Sequence, residues 1–193
     1  MLPPGSAMPY AAILERFLTV AEAEIPIVGL PAPFDGTTVL FVSDVHAGPF
    51  LSPGALGSVF ARLATLEADV VIHGGDMATS NVREILHHED AVLGLTARLG
   101  AFAVFGNHDH EAPEEVASAL AANGVRLLVD EEVLVETPIG PVQIVGADWY
   151  REGRKEKVPA LLARFPRRPG HLRLLLLHDP SHFHDVPKGE VDL

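Results

Sequence analysis

AFAVFGNHDHE, residues 101–111, changes character at one point. Ala101 to Phe105 are apolar and suit a buried strand, and then come Gly106, Asn107, His108, Asp109 and His110. The glycine permits close backbone approach at that junction, and the residues after it carry oxygen and nitrogen ligands. The same junction recurs along the chain. TVLFV (38–42) runs into Ser43-Asp44-Val45-His46, VVIH (70–73) into Gly74-Gly75-Asp76, and LLLL (174–177) into His178-Asp179. Each run alone has a plainer reading: Asp44 as the cap of a surface turn, Gly74-Gly75-Asp76 as a turn, His178 as a buried histidine. Together they describe one site, because ligands of open α/β sheets bind outside the carboxyl ends of the strands.

The segments between these junctions supply the rest of the fold. Residues 16–30, RFLTVAEAEIPIVGL, read as extended with a break at Pro26, and LPAPFDG is a turn-rich connector. A helix is expected from about Pro53 to Glu67, where Leu56, Val59, Phe60 and Leu63 recur at helical spacing. A second runs from an Asn81 cap to about Leu99, and a third from Pro113 to Ala122, stopped by Asn123-Gly124. Residues 125–149 read as two or three short strands with a turn at Pro138-Ile139-Gly140. The basic stretch 151–170 reads as a solvated helix with loop ends, its charge balanced by Glu152 and Glu156, and HLRLLLLH (171–178) as a last buried strand. The order βαβαβα, strand pair, αβ defines a layered α/β domain with right-handed crossovers. Residues 1–35 form an N-terminal arm with an extended segment, and residues 36–193 the functional domain.

Composition narrows the chemistry. A chain of 193 residues with 48% hydrophobic and 21% charged residues suits one soluble domain with a substantial core. Its formal net charge of -12 argues against a general nucleic-acid-binding surface. With no cysteine, any metal must sit on His, Asp, Glu or Asn. The start MLPPGSAMPYAAILERF lacks the basic and apolar regions of a signal peptide. No stretch approaches the roughly 20 apolar residues of a membrane span. The expected location is the cytoplasm.

The four strand ends suit two divalent ions. Asp44 and His46, two apart on an extended segment, point the same way and can chelate one ion. Asp76 can bridge, since a carboxylate has two oxygens. Asn107 offers a carbonyl oxygen and His178 an imidazole to the second ion. A hydroxide held between the ions is then the nucleophile, and the metals stabilise charge on a phosphoryl group. His108 protonates the leaving oxygen or stabilises the transition state, with Asp109 orienting its ring. His110 is a candidate to touch substrate. His73 reads as a core histidine, His87 and His88 as ordinary helix residues, and His182 and His184 as residues of a surface loop.

SDVHAG, GGDM, GNHDH and LLLLHDP, in that order, resemble the calcineurin-like metallophosphoesterase family, whose pattern is D-x-H, G-D, G-N-H-D/E, a single His and G-H-x-H. The resemblance covers about residues 36 to 193. LPAPFDG and GADW make it most similar to the branch of membrane-associated phosphohydrolases and phosphodiesterases. It implies a fold of two packed mixed β-sheets flanked by helices. It implies Asp44 and His46 on the first metal, Asp76 as bridge, Asn107 and His178 on the second, and His108 as the catalytic histidine. The metals would be Mn, Fe, Zn or Ni. The substrate would be a phosphate mono- or diester, a small molecule or lipid-linked, with association at a membrane surface compatible with that branch. Two departures stand out: Thr79 where many members carry a second Asp, and GEVDL where members continue to G-H-x-H. On that reading the domain lacks its C-terminal portion and last strands. The alternative to an enzyme is then a catalytically impaired metal-binding or interaction scaffold of the same fold. A protein phosphatase is disfavoured, because GNHDH lacks the glutamate-and-arginine pattern that would follow it.

Overall fold

The computed structural model describes residues 18–47, 53–77 and 95–193. Thr79, His87, His88 and most of the helix expected from Asn81 lie outside the described residues. The end of that expected helix is described, and it is not helical: residues 95–100 are coil and turn. Leu99 N–H donates to Asp69 O and Gly100, at φ 113°, turns the chain into the next strand.

Four strands form a parallel sheet in the order β1 (Val39–Val42), β2 (Val70–His73), β3 (Ala101–Ala103), β4 (Arg126–Leu127). The second sheet joins β5 (Glu131–Thr137) and β6 (Gly140–Gly146) as an antiparallel hairpin, with β7 (Leu172–Leu176) parallel to β6. Gly140 closes the hairpin at φ 137°, where a side chain would be strained, and Thr137 Oγ1 donates to its carbonyl at 2.6 Å.

Alternation along the strands sorts the apolar residues into three layers. Val71 of β2 packs with Leu56, Phe60 and Leu63 of the Pro53–Ala64 helix and with Val116 and Leu120 of the Pro113–Ala122 helix. Val70 and Ile72 face the other way and meet Val142, Ile144, Leu174 and Leu176 of the second sheet. Beyond that sheet Val145 packs on Val158, Leu161 and Leu162 of the Arg154–Arg164 helix. The result is helices, sheet, sheet, helix. Burial of each large aliphatic side chain contributes roughly 1.5–3 kcal/mol, so the two-sheet core holds the strand ends in fixed relation.

Residues 18–30 join no strand of either sheet, and Ile25 and Val28 are exposed. Other expectations are corrected. The basic helix is not merely solvated, because Val158, Leu161 and Leu162 are buried. The arginines after it pair with acids far along the chain, Arg167 with Asp192 and Arg168 with Glu132, not with Glu152 or Glu156. His182 is buried and stacks on Tyr150 in the 3₁₀ turn Pro180–Asp185, so it belongs to the core and not to a surface loop. His73 is fully buried, as expected.

Candidate metal centre

The loops after β1 and β2 keep pairing past the strands. Asp44 N–H donates to Gly75 O, His46 N–H to Asp76 O and Ala47 N–H to Met77 O. Yet Asp44, His46 and Asp76 all sit at positive φ, 55°, 46° and 54°. Non-glycine residues avoid this region, and residues forced into it cluster at functional sites, where surrounding structure over-determines them. The segment Asp44–His46 is therefore not extended, contrary to the reading from spacing. The kinked backbone still brings the two side chains together, with Asp44 Oδ1 3.8 Å from His46 Nε2.

Asp76 lies at the centre and is buried. Its Oδ1 accepts the His108 N–H at 2.9 Å, while its Oδ2 stands 3.6 Å from both His46 Nε2 and His178 Nε2. One oxygen, not two, faces the imidazoles. His178 Nδ1 lies 2.8 Å from Gly74 O, which can only accept, so Nδ1 carries the proton and Nε2 keeps its lone pair toward Asp76. Ligand atoms of Asp44, Asp76 and His178 lie within 4.8 Å of one another, and so do those of His46, Asp76 and His108. Asn107, Asp44 and His178 line one cleft with Trp149, Asp179 and Pro180.

Glycines make this closeness possible. A Cβ on Gly106 would fall 2.1 Å from Asp76 Oδ1, and one on Gly75 2.4 Å from Gly106 N. Asp109, fully buried, does not orient the His108 ring. Its carboxylate accepts backbone N–H groups from Asp76 at 2.8 Å, Met77 at 3.0 Å and Gly106 at 2.9 Å. Burial pushes its carboxyl above the ordinary value, against the pull of those three donors. The carboxylate facing His108 Nδ1 is Glu111, at 3.5 Å. His110 Nε2 bonds Asp148 Oδ1 at 2.8 Å. Glu111, Asp148 and Trp149 are the neighbours that sequence reading missed. The last two had a signal, since PVQIVGADW is a fifth apolar run ending in a carboxylate.

Divalent ions fit these residues. Imidazoles of His46, His108 and His178 and carboxylates of Asp44 and Asp76 converge, two overlapping sets of three ligand atoms that share Asp76. Oxygen and nitrogen donors without thiolate suit hard or borderline metals.

Comparison with known proteins agrees with this geometry. Residues 37–190 match the calcineurin-like phosphoesterase family. The chain is 30% identical over 171 residues to the metallophosphoesterase YkoQ of Bacillus subtilis, covering 85% of this chain and 60% of that protein. It is 26% identical to the phosphodiesterase YaeI of Escherichia coli, over 78% of this chain and 54% of the relative. It is 31% identical to a transmembrane protein with a metallophosphoesterase domain from Danio rerio, over 79% and 33%. The chain belongs to the calcineurin-like phosphoesterase family. It spans only 33% to 60% of the length of these curated relatives. Among the described residues no helix is long and apolar enough to cross a membrane.

Proposed function

We propose that this domain hydrolyses phosphate mono- or diesters with two divalent ions, Mn, Fe, Zn or Ni. The observation that carries the reading is Asp76 Oδ2 standing 3.6 Å from both His46 Nε2 and His178 Nε2, a shared carboxylate between two imidazoles. Asp44 and His46 would hold one ion, Asn107 and His178 the other, and Asp76 both. When bound, the ions would activate a water and neutralise charge gathering on the phosphoryl oxygens.

The chain's own residues do the rest. Gly74 O fixes the His178 tautomer, and the His108 N–H fixes the Asp76 carboxylate, so neither ligand has to reorganise. The His108 ring packs edge-on to that of His46 at 5.2 Å between centroids. There it can donate a proton to the leaving oxygen, with Glu111 across from Nδ1. Asp109 holds the loops and takes no part in proton transfer. Among the described residues no lysine or arginine lines the cleft, so there an anionic substrate depends on the ions for its charge balance. Association with a membrane is supported by the Danio rerio relative's name as a transmembrane protein.

Hydrolysis of bis-p-nitrophenyl phosphate by the 193-residue chain, with and without Mn²⁺ and beside Asp76→Asn, tests the reading. Metal-dependent turnover lost in the variant is the expected result. Folded protein that binds Mn²⁺ without turning over would favour the impaired scaffold instead.

A further inference from the structure

Asp148 Oδ1 takes two partners at once. His110 Nε2 lies 2.8 Å from it and the Trp149 backbone N–H donates to it at 2.8 Å. The Asp148 N–H in turn donates to Asp130 Oδ1 at 3.0 Å, and the Tyr150 hydroxyl donates to the same oxygen. Tyr150 is buried, stacked against His182 and covered by the Lys157 ammonium 4.7 Å above its ring. Residues 148–150 are thus clamped from both sides. Asp130 holds the Asp148 backbone N–H before Trp149 and the Tyr150 side chain after it, and the His110 ring stands 6.2 Å from the indole between centroids. His110 packs on Phe105 at 5.3 Å, which ties the assembly to the end of the Ala101–Phe105 run.

The indole lines the cleft beside Asp44, Asn107 and His178, with Pro180 as another apolar member of the lining. A half-exposed tryptophan on a pre-organised backbone, next to candidate metal ligands, offers a flat apolar face at little entropic cost. Its surroundings are acidic: Asp44, Asp148 and Asp179 stand in or beside the cleft, which disfavours additional negative charge on whatever covers the ring. A neutral planar group meets both conditions.

Resting on the phosphoesterase reading, we infer that Trp149 determines specificity by stacking on an aromatic or heteroaromatic group carried by the ester, with Asp148 and His110 as its positioning residues. The preferred substrate class is a diester with one such planar arm, its phosphoryl group at the Asp76 cluster and its ring against the indole.

The test compares two diesters with the same leaving group, bis-p-nitrophenyl phosphate and methyl p-nitrophenyl phosphate, which differ in the arm that stays. The wild-type chain with Mn²⁺ should favour the aryl arm in kcat/KM, and Trp149→Ala should reduce that preference about tenfold. Trp149→Phe should keep most of it. The chain has a single tryptophan, so its fluorescence reports the same event without turnover. Phenylphosphonate with Mn²⁺ should quench it saturably, and methylphosphonate much less. An aryl preference unchanged in Trp149→Ala overturns the inference while leaving the hydrolytic function intact. If no ester is cleaved, the function proposal fails by itself. Quenching then decides: selective quenching by phenylphosphonate upholds the stacking site, and equal or absent quenching removes it.

Discussion

Asp109 Oδ2 accepts the backbone N–H of Asp76 at 2.8 Å, joining residues 33 apart in the chain. The same oxygen takes the Gly106 N–H and its partner oxygen takes that of Met77. One buried carboxylate therefore ties the loop after β2 to the loop after β3, and these are the two loops that carry Asp76 and Asn107.

Asp109→Asn should damage the site without touching a ligand. An amide offers one acceptor oxygen where the carboxylate offers two, and its NH₂ must face a backbone N–H. At least one buried donor is left unsatisfied, at about 1–3 kcal/mol. Urea denaturation should show a loss of about 2–3 kcal/mol, and titration calorimetry a weaker Mn²⁺ affinity. Unchanged stability with normal metal binding would show that the three donors find other partners.

Gly106→Ala places its methyl 2.1 Å from Asp76 Oδ1, with the Asp76 backbone N 2.4 Å away. The carboxylate must move, and the His108 N–H that holds it loses its acceptor. Metal binding should fall at least tenfold. Gly124→Ala is the control for stability, since nothing lies within 4 Å of its added carbon and only its φ of +71° is strained. Gly106→Ala should lose more stability than Gly124→Ala, and of the two only Gly106→Ala should lose metal affinity.

Much of this was legible in local signals. The Pro113–Ala122 helix begins and ends where its proline and Asn123-Gly124 place it. The alternation that fills the two-sheet core was visible as apolar runs, and the four junctions named the residues that meet around Asp76. Three features were not legible, each for a physical reason. Positive φ at Asp44 and His46 comes from pairing with Gly75 and Asp76, a contact between loops about 30 residues apart. The role of Asp109 depends on where backbone donors of another loop point, which side-chain chemistry does not reveal. The run 101–105 leaves the ladder after Ala103, because Val104 and Phe105 continue as buried coil toward the site.

Arg173 in β7 is fully buried, and its guanidinium reaches Glu190 Oε2 and Glu190 O at 2.9 Å, Leu162 O at 3.2 Å and Phe165 O at 2.5 Å. It thus pins the end of the Arg154–Arg164 helix and the segment that lies beside β7. Arg173→Met should cost about 3 kcal/mol, because it strips several carbonyls of their donor. Glu190→Gln should cost under about 1 kcal/mol, since that side chain is 44% exposed and solvent screens the pair. Equal losses in denaturant unfolding would assign the effect to the ion pair and not to the carbonyls.

His73 ends β2 with neither ring nitrogen hydrogen-bonded, and burial holds its pKa down at about 4, from 6.5. The folded state therefore keeps the ring neutral where the unfolded chain binds a proton. The sign follows: stability is full above about pH 6.5, declines as the pH falls toward 4, and changes no further from this group below that. The loss across the window is about 3 kcal/mol. His73→Leu, similar in bulk and without a proton to gain, should flatten this portion of the stability–pH curve and leave the wild-type and variant curves closest at neutral pH. A curve for the variant as steep as the wild type between pH 6.5 and 4 would place the acid sensitivity on other groups.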